Sequence, residues 1–270
     1  MEVTCPEVAA AVWARVAPHV DASVTFPDDG AEDDAAACER GLGGEWRACG
    51  VNPVLLFSRY GPGGHFSPHT DGNTVVGLNE RSLSSMLLYL NDCADGGHTT
   101  LFAPPPGAGA DAVRRFVRDD AARLRWPDDW CAQTPCTVAR RALTHPSAIC
   151  RVADAAPVSE GSALLFRQHI PHEGAPVGAL RHATCVMLRR CTALMRACLA
   201  GPGCCKIIIR TDIMYRRTPP VCDDDAGREA YALYLRAGAA EAAGEAMAAM
   251  QLYRRSAKAC PRFAQLMGLA

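Results

Sequence analysis

The sequence predicts a mainly β fold with helical flanks. Three observations carry that expectation. From Val51 onward, NPVLLFSRY, SLSSMLLYLND, HTTLFAP and GSALLFRQH are short apolar runs bounded by Gly, Pro, Asn or Asp. Such runs between turn residues read as strands. No regular helix alternates with them, which favours a sandwich or barrel over βαβ units. Helical periodicity concentrates instead at the two ends of the chain.

Taken in order, residues 1–50 read as an N-terminal helix and an acidic loop packing on the core. MEVTCPEVAAAVWARVAPHV places Val8, Val12 and Val16 on one face of a helix. FPDDGAEDDAAACERGLGG reads as the solvated loop. The β domain is expected over 51–217, with two interruptions. Residues 104–157 hold one amphipathic helix candidate between loops. Residues 179–205 are rich in Ala, Arg, Cys and Leu and read as a helix ended by GlyProGly. Residues 218–270 read as a C-terminal helical extension. The spacing of Leu233, Ala237, Ala249, Tyr253 and Pro261 weakly matches one tetratricopeptide unit. A single unit cannot bury its own face, so a helical hairpin packed on the β domain is expected.

Composition narrows the function classes. Lys+Arg total 28 and Asp+Glu 29, so the net charge is -1. That balance offers no global attraction to nucleic acid or to an anionic membrane. Glu2 and Glu7 stand where an export signal would be basic. No stretch reaches the roughly 18 apolar residues of a membrane helix. A cytoplasmic or nuclear location with reduced thiols is expected. The 14 cysteines include no CxxC pair, so a zinc knuckle is not expected. Five of them, Cys185, Cys191, Cys198, Cys204 and Cys205, crowd into 179–205.

The histidines point to metal chemistry. Two HxD tripeptides occur, at His19-Val20-Asp21 and His69-Thr70-Asp71. Residues two apart on an extended segment project to one side, so an imidazole and a carboxylate can share one ion. A second His from a distant strand completes a 2-His-1-carboxylate triad, which leaves adjacent sites open on Fe(II). His19 follows a helix and Pro18 and reads as a surface residue. His69 follows a strand and the Gly/Pro turn of LLFSRYGPGGHFSPHTDGN. Downstream, GSALLFRQHIPHEGAPV offers His169 and His172, and spacing alone leaves the choice open.

Four blocks in order make the pattern specific: RYGPGGHFSPHTDG, SLSSMLLYLNDCADGGHTTLF, GSALLFRQHIPHEGAPV and KIIIRTDIMYRR. Together they resemble the iron(II)- and 2-oxoglutarate-dependent dioxygenases, in the prolyl 4-hydroxylase-like branch. The resemblance implies a double-stranded β-helix, or jelly roll, with the metal between its sheets. It places the ligands at His69, Asp71 and His172. His169, His65 and His98 receive no metal role, and many relatives carry glutamate at the position of His98.

The resemblance also implies a cation for the distal carboxylate of 2-oxoglutarate, on the strand after the second metal histidine. Arg181 lies nearest in sequence, whereas the matching string KIIIRTDIMY starts at Lys206. An insertion over about 179–205 reconciles the two. Lys206 is then the expected anchor, with Tyr60 and Thr99 as hydroxyl donors and Arg181 as the alternative. The implied activity is hydroxylation of an unactivated C–H bond with release of succinate and CO2. Fe(II), 2-oxoglutarate and ascorbate are the implied cofactors. A prolyl residue of a protein or peptide is the implied substrate, and a small molecule is the other option. Arg59, Arg167 and the 104–157 segment are candidates for the entrance. The competing readings are a decayed jelly-roll binding module, a scaffold built on the C-terminal helices, and a cupin-type enzyme with another metal.

Overall fold

The structure is a computed structural model that describes residues 1–26, 42–93, 95–103, 151–156, 158–178 and 205–269. Strands in chain order are β1 (Glu2–Thr4), β2 (Ser23–Phe26), β3 (Gly44–Val51), β4 (Val54–Tyr60), β5 (Phe66–His69) and β6 (Val75–Gly77). They continue with β7 (Glu80–Tyr89), β8 (Thr99–Ala103), β9 (Arg151–Ala156), β10 (Ala163–Arg167), β11 (His172–Gly174) and β12 (Lys206–Thr218). The helices are α1 (Pro6–Val16), α2 (Asp225–Ala242), α3 (Ala246–Ala259) and α4 (Pro261–Met267). The chain is mainly β with antiparallel pairing and flanking helices, the class expected of a jelly roll.

The chain divides into two compact units. The first comprises Met1–Ala14, Val51–Gly72 and Leu83–Ile213. It holds a four-stranded antiparallel sheet in the order β5-β11-β8-β9. Its other layer pairs β1 with β4, β4 with the first half of β12, and β7 with β10, all antiparallel. Leu87 and Tyr89 of β7, Phe166 of β10 and Ile208 of β12 share one buried cluster with Val177, and Leu101 of β8 packs against it. The core of this unit therefore lies between its two layers, where burial of apolar area drives folding. Strand β7 is buried along most of its length, including Ser82, Ser84 and Ser85. A strand covered on both faces loses the alternation of a half-exposed one.

The second unit comprises Arg15–Gly50, Asn73–Ser82 and Met214–Ala270. In it β2 pairs with β3, and Trp46 of β3 is buried beneath the Arg217 guanidinium, 4.6 Å from its ring centre. Helix α2 is capped by Asp224, whose carboxylate accepts from the Gly227 amide at 2.7 Å, the usual N-cap arrangement. Helix α4 ends on Gly268 in the left-handed region, φ 63°, where glycine carries no Cβ penalty. Cys222, Ala230, Cys260 and Phe263 form the buried heart of this helical part.

Several expectations change. Residues 1–50 hold three strands besides α1, because GEWRACGV alternates inward Trp46 with outward Glu45 and Arg47. The α1 face buries Ala9 and Val16, while Val8 stays 41% exposed. Residues 151–156, set within the 104–157 interruption by the sequence, form β9 and pair with β8. The acidic loop over 27–41, the helix candidate after Pro104 and the 179–204 segment lie outside the described residues. His19 is exposed at the end of a short 3-10 turn, as its surroundings suggest.

Candidate metal centre

Two short strands build the centre. β11 pairs antiparallel with β5 in a register that sets His172 opposite His69. Two residues after β5 ends at His69, the amide of Asp71 donates to the Gln168 carbonyl at 3.0 Å. The carboxylate is thereby fixed beside both rings. His69 Nε2 lies 3.5 Å from Asp71 Oδ1, and His172 Nε2 lies 3.5 Å from Asp71 Oδ2. The ring centres of the two histidines are 4.2 Å apart. One ligand atom from each residue falls within 4.8 Å of the others. His172, and not His169, is part of this group.

The tautomers suit metal binding. His69 Nδ1 is 2.8 Å from the Ser67 carbonyl oxygen, and His172 Nδ1 is 3.0 Å from that of Ile170. A carbonyl only accepts, so each Nδ1 donates to its carbonyl, which leaves each Nε2 facing Asp71 as the nitrogen available to an ion. Burial pushes the His172 imidazole down to about 4, against the pull of Asp71, so it is neutral at pH 7. Burial alone would raise the Asp71 carboxyl. Hydrogen bonds from His69 and Ser85, with the charges of His172 and Arg210, outweigh it and hold the group at about 2. Two imidazole nitrogens and one carboxylate oxygen that converge in this way fit Fe(II).

A buried lysine lies beside this centre. Lys206 opens β12 opposite Tyr60 of β4 and is 3% exposed. Its Nζ donates to Thr99 Oγ1 at 3.4 Å and sits 5.7 Å and 5.5 Å from the ring centres of Tyr60 and Tyr89. The Tyr89 hydroxyl is 2.9 Å from Thr99 Oγ1. A Cβ built on Gly174 of β11 would come 3.8 Å from Nζ, so the ammonium abuts the strand that carries His172. Among the described residues no carboxylate pairs with Lys206, and burial lowers its pKa to about 8. An unpaired buried cation is costly, and a ligand carboxylate would relieve that cost. The pocket therefore fits the distal end of 2-oxoglutarate.

The 2OG-Fe(II) oxygenase superfamily model matches residues 55–189, half of the chain. The chain belongs to this superfamily. Among solved structures this oxygenase is similar to a Pseudomonas putida prolyl-4-hydroxylase, at 15% identity, with 63% of this chain and 53% of that chain covered and a TM-score of 0.28. It is also similar to AviO1 from Streptomyces viridochromogenes, at 14% identity, 65% and 53% coverage and a TM-score of 0.26. A third similar structure is the nickel complex of the non-heme monooxygenase ThoJ, at 10% identity, 64% and 45% coverage and a TM-score of 0.26. The chain spans about half the length of these structures. No curated protein matches it.

The oxygenase's structure brings together His69, Asp71 and His172, and separately Lys206, Thr99 and Tyr60. Arg181 lies outside the described residues. His65 is exposed and turns its Nδ1 to the Gly63 carbonyl at 3.2 Å. The sequence reading missed four groups that hold the site. Ser85 donates to Asp71 Oδ2 at 2.5 Å, and Arg210 Nη2 reaches Asp71 Oδ1 at 2.9 Å. Each carboxylate oxygen thus has one protein donor and one histidine nearby. Behind Arg210 lies Asp212, held by Gln168 at 3.1 Å and Asn52 at 3.3 Å. Tyr89 completes the Lys206 pocket. A period of two from Lys206 marks Arg210 as sharing its face of β12, the one sequence signal that was available. Ser85 lies within an apolar run with nothing to distinguish it from Ser84.

Proposed function

We propose that the chain is an Fe(II)- and 2-oxoglutarate-dependent dioxygenase that hydroxylates an unactivated C–H bond, with a prolyl residue of a protein or peptide as substrate. The observation that carries this reading is a His-Asp-His cluster beside a buried lysine that has no carboxylate partner among the described residues. His69, Asp71 and His172 would hold the iron, and Lys206 with Thr99 would hold the distal carboxylate of 2-oxoglutarate. Bound iron and 2-oxoglutarate supply the oxidising chemistry, with succinate and CO2 released and ascorbate keeping the metal reduced.

The chain's own residues do the rest. Nδ1 contacts with the Ser67 and Ile170 carbonyls fix both imidazoles with Nε2 inward. Ser85 and Arg210 orient the Asp71 carboxylate from opposite oxygens. The rings of Tyr60 and Tyr89 flank the Lys206 ammonium and keep water from it, which strengthens its attraction for an anion. His69 is the more open imidazole, its side chain 26% exposed against 6% for His172, so a substrate approaches from the His69 side.

Succinate release under oxygen with Fe(II), 2-oxoglutarate and ascorbate tests the reaction. Asp71→Ala is expected to abolish it, and equal turnover by the variant would overturn the assignment. Proline-containing peptides are expected to gain one oxygen atom on the proline. Turnover of 2-oxoglutarate without such a gain on any peptide would remove the prolyl substrate and leave the cosubstrate chemistry standing. Among the described residues no helix is long and apolar enough to cross a membrane.

A further inference from the structure

The second unit holds a pair of cysteines for which the oxygenase reading has no use. Cys222 follows β12, and Cys260 joins α3 to α4. Their Sγ atoms are 4.0 Å apart, and both thiols are free. Both are buried in one apolar cluster with Ala230 and Phe263, at 9% and 8% exposure.

Each cysteine is held from its own side. The Cys222 backbone is packed so closely on α2 that a Cβ at Gly227 would collide with its carbonyl. It also takes a φ of 47°, unusual for a residue with a side chain. Cys260 Sγ accepts from the Phe263 amide at 3.4 Å. Two thiols fixed this close need only a small approach to reach the bonding distance of about 2 Å. Fixed partners raise the effective concentration of one thiol at the other.

We propose that Cys222 and Cys260 are a modification site that closes to a disulfide, tying the segment after β12 to the α3–α4 junction. The oxidant is a small hydroperoxide. Hydrogen peroxide oxidises one thiol to a sulfenic acid and releases water. The second thiol then attacks that sulfur, the S–S bond forms, and a second water leaves. Two thiols thus lose two electrons and two protons to one peroxide. Burial and the neighbouring Cys260 hold the Cys222 thiol above its ordinary range, so the reaction proceeds faster at mildly alkaline pH.

The test oxidises the full chain with hydrogen peroxide, alkylates the remaining thiols, and maps the digest by mass. The expected product is a peptide pair joined through Cys222 and Cys260 and separated by reductant. Oxidation is also expected to raise the Tm by several degrees. That rise should vanish in Cys222→Ser and in Cys260→Ser. Serine at 260 keeps a helix-capping oxygen, so this variant is expected to fold. Recovery of both cysteines in alkylated form, or joined to other cysteines, overturns the proposal. So does a rise in Tm that persists in both serine variants.

Discussion

Lys206 shows how much one residue can report. Burial lowers its pKa to about 8, against about 10.4 in an unfolded chain. Between those values the unfolded state binds more protons, so the stability of the ligand-free protein rises as pH increases from about 8 to about 10. The distal carboxylate of 2-oxoglutarate prefers the charged ammonium. Its affinity is therefore expected to fall about tenfold per pH unit above about 8. Calorimetric titration of 2-oxoglutarate into the Mn(II)-loaded protein across this range measures the effect. Lys206→Arg should flatten the profile, and a flat profile in the wild type would remove Lys206 from the anchor. At Asp71 the corresponding test is metal affinity. Among the described residues Ser85 is the one hydrogen-bond donor on Oδ2, and loss of such a supporting bond weakens metal binding by about tenfold or more. Ser85→Ala should show that loss in a Co(II) titration, and unchanged affinity would make Ser85 incidental. His69, Asp71, His172 and Lys206 could be named from the sequence because HTDG, HEGAPV and KIIIR keep their order. Ser85, Arg210 and Tyr89 could not, because their roles arise only when β7, β12 and the Asp71 turn meet.

Elements with strong apolar runs were legible as well. β4, β7, β8, β10 and β12 each coincide with a run that ends at turn residues. β2 and β3 were not, because one face is exposed and β3 buries only Trp46 and its last residue, Val51. β5 and β11 are only four and three residues long, too short to show a period, although they carry both metal histidines. What makes these short strands precise is their surroundings, and the turn before β8 is the clearest case. Gly96 has a φ of 67°, and a Cβ there would collide with the Pro176 carbonyl oxygen just beyond β11. Its neighbour Gly97 has a φ of 68° and lies against the Lys206 side chain. Gly96→Ala must then strain the backbone and part the two segments, at a cost of about 2 kcal/mol or more. Urea denaturation should show that loss together with weaker 2-oxoglutarate binding. Wild-type stability in the variant would mean that the turn shapes nothing.

At the scale of the molecule, every residue of the proposed site comes from the first unit: Tyr60, His69, Asp71, Thr99, His172 and Lys206. The strands that supply them are far apart in sequence, so loop closure must be completed before the site exists. Ligands that bind only this assembled state oppose its opening. Mn(II) with 2-oxoglutarate at about 100 times Kd stabilises by about 2.7 kcal/mol, enough to slow exchange through opened states about 100-fold. Hydrogen exchange followed by mass spectrometry should place this protection in β4, β5, β8, β11 and the first half of β12. The helices α2, α3 and α4 contribute no residue to the site, and their exchange should change little. Chelation of the metal should return the strands to their starting rates, because the imidazoles and carboxylate lose the ion that joins them. Equal protection of α2–α4 would contradict a site confined to the first unit. Protection by 2-oxoglutarate alone, undiminished by chelator, would separate the Lys206 pocket from the His-Asp-His centre and assign the binding energy to the lysine.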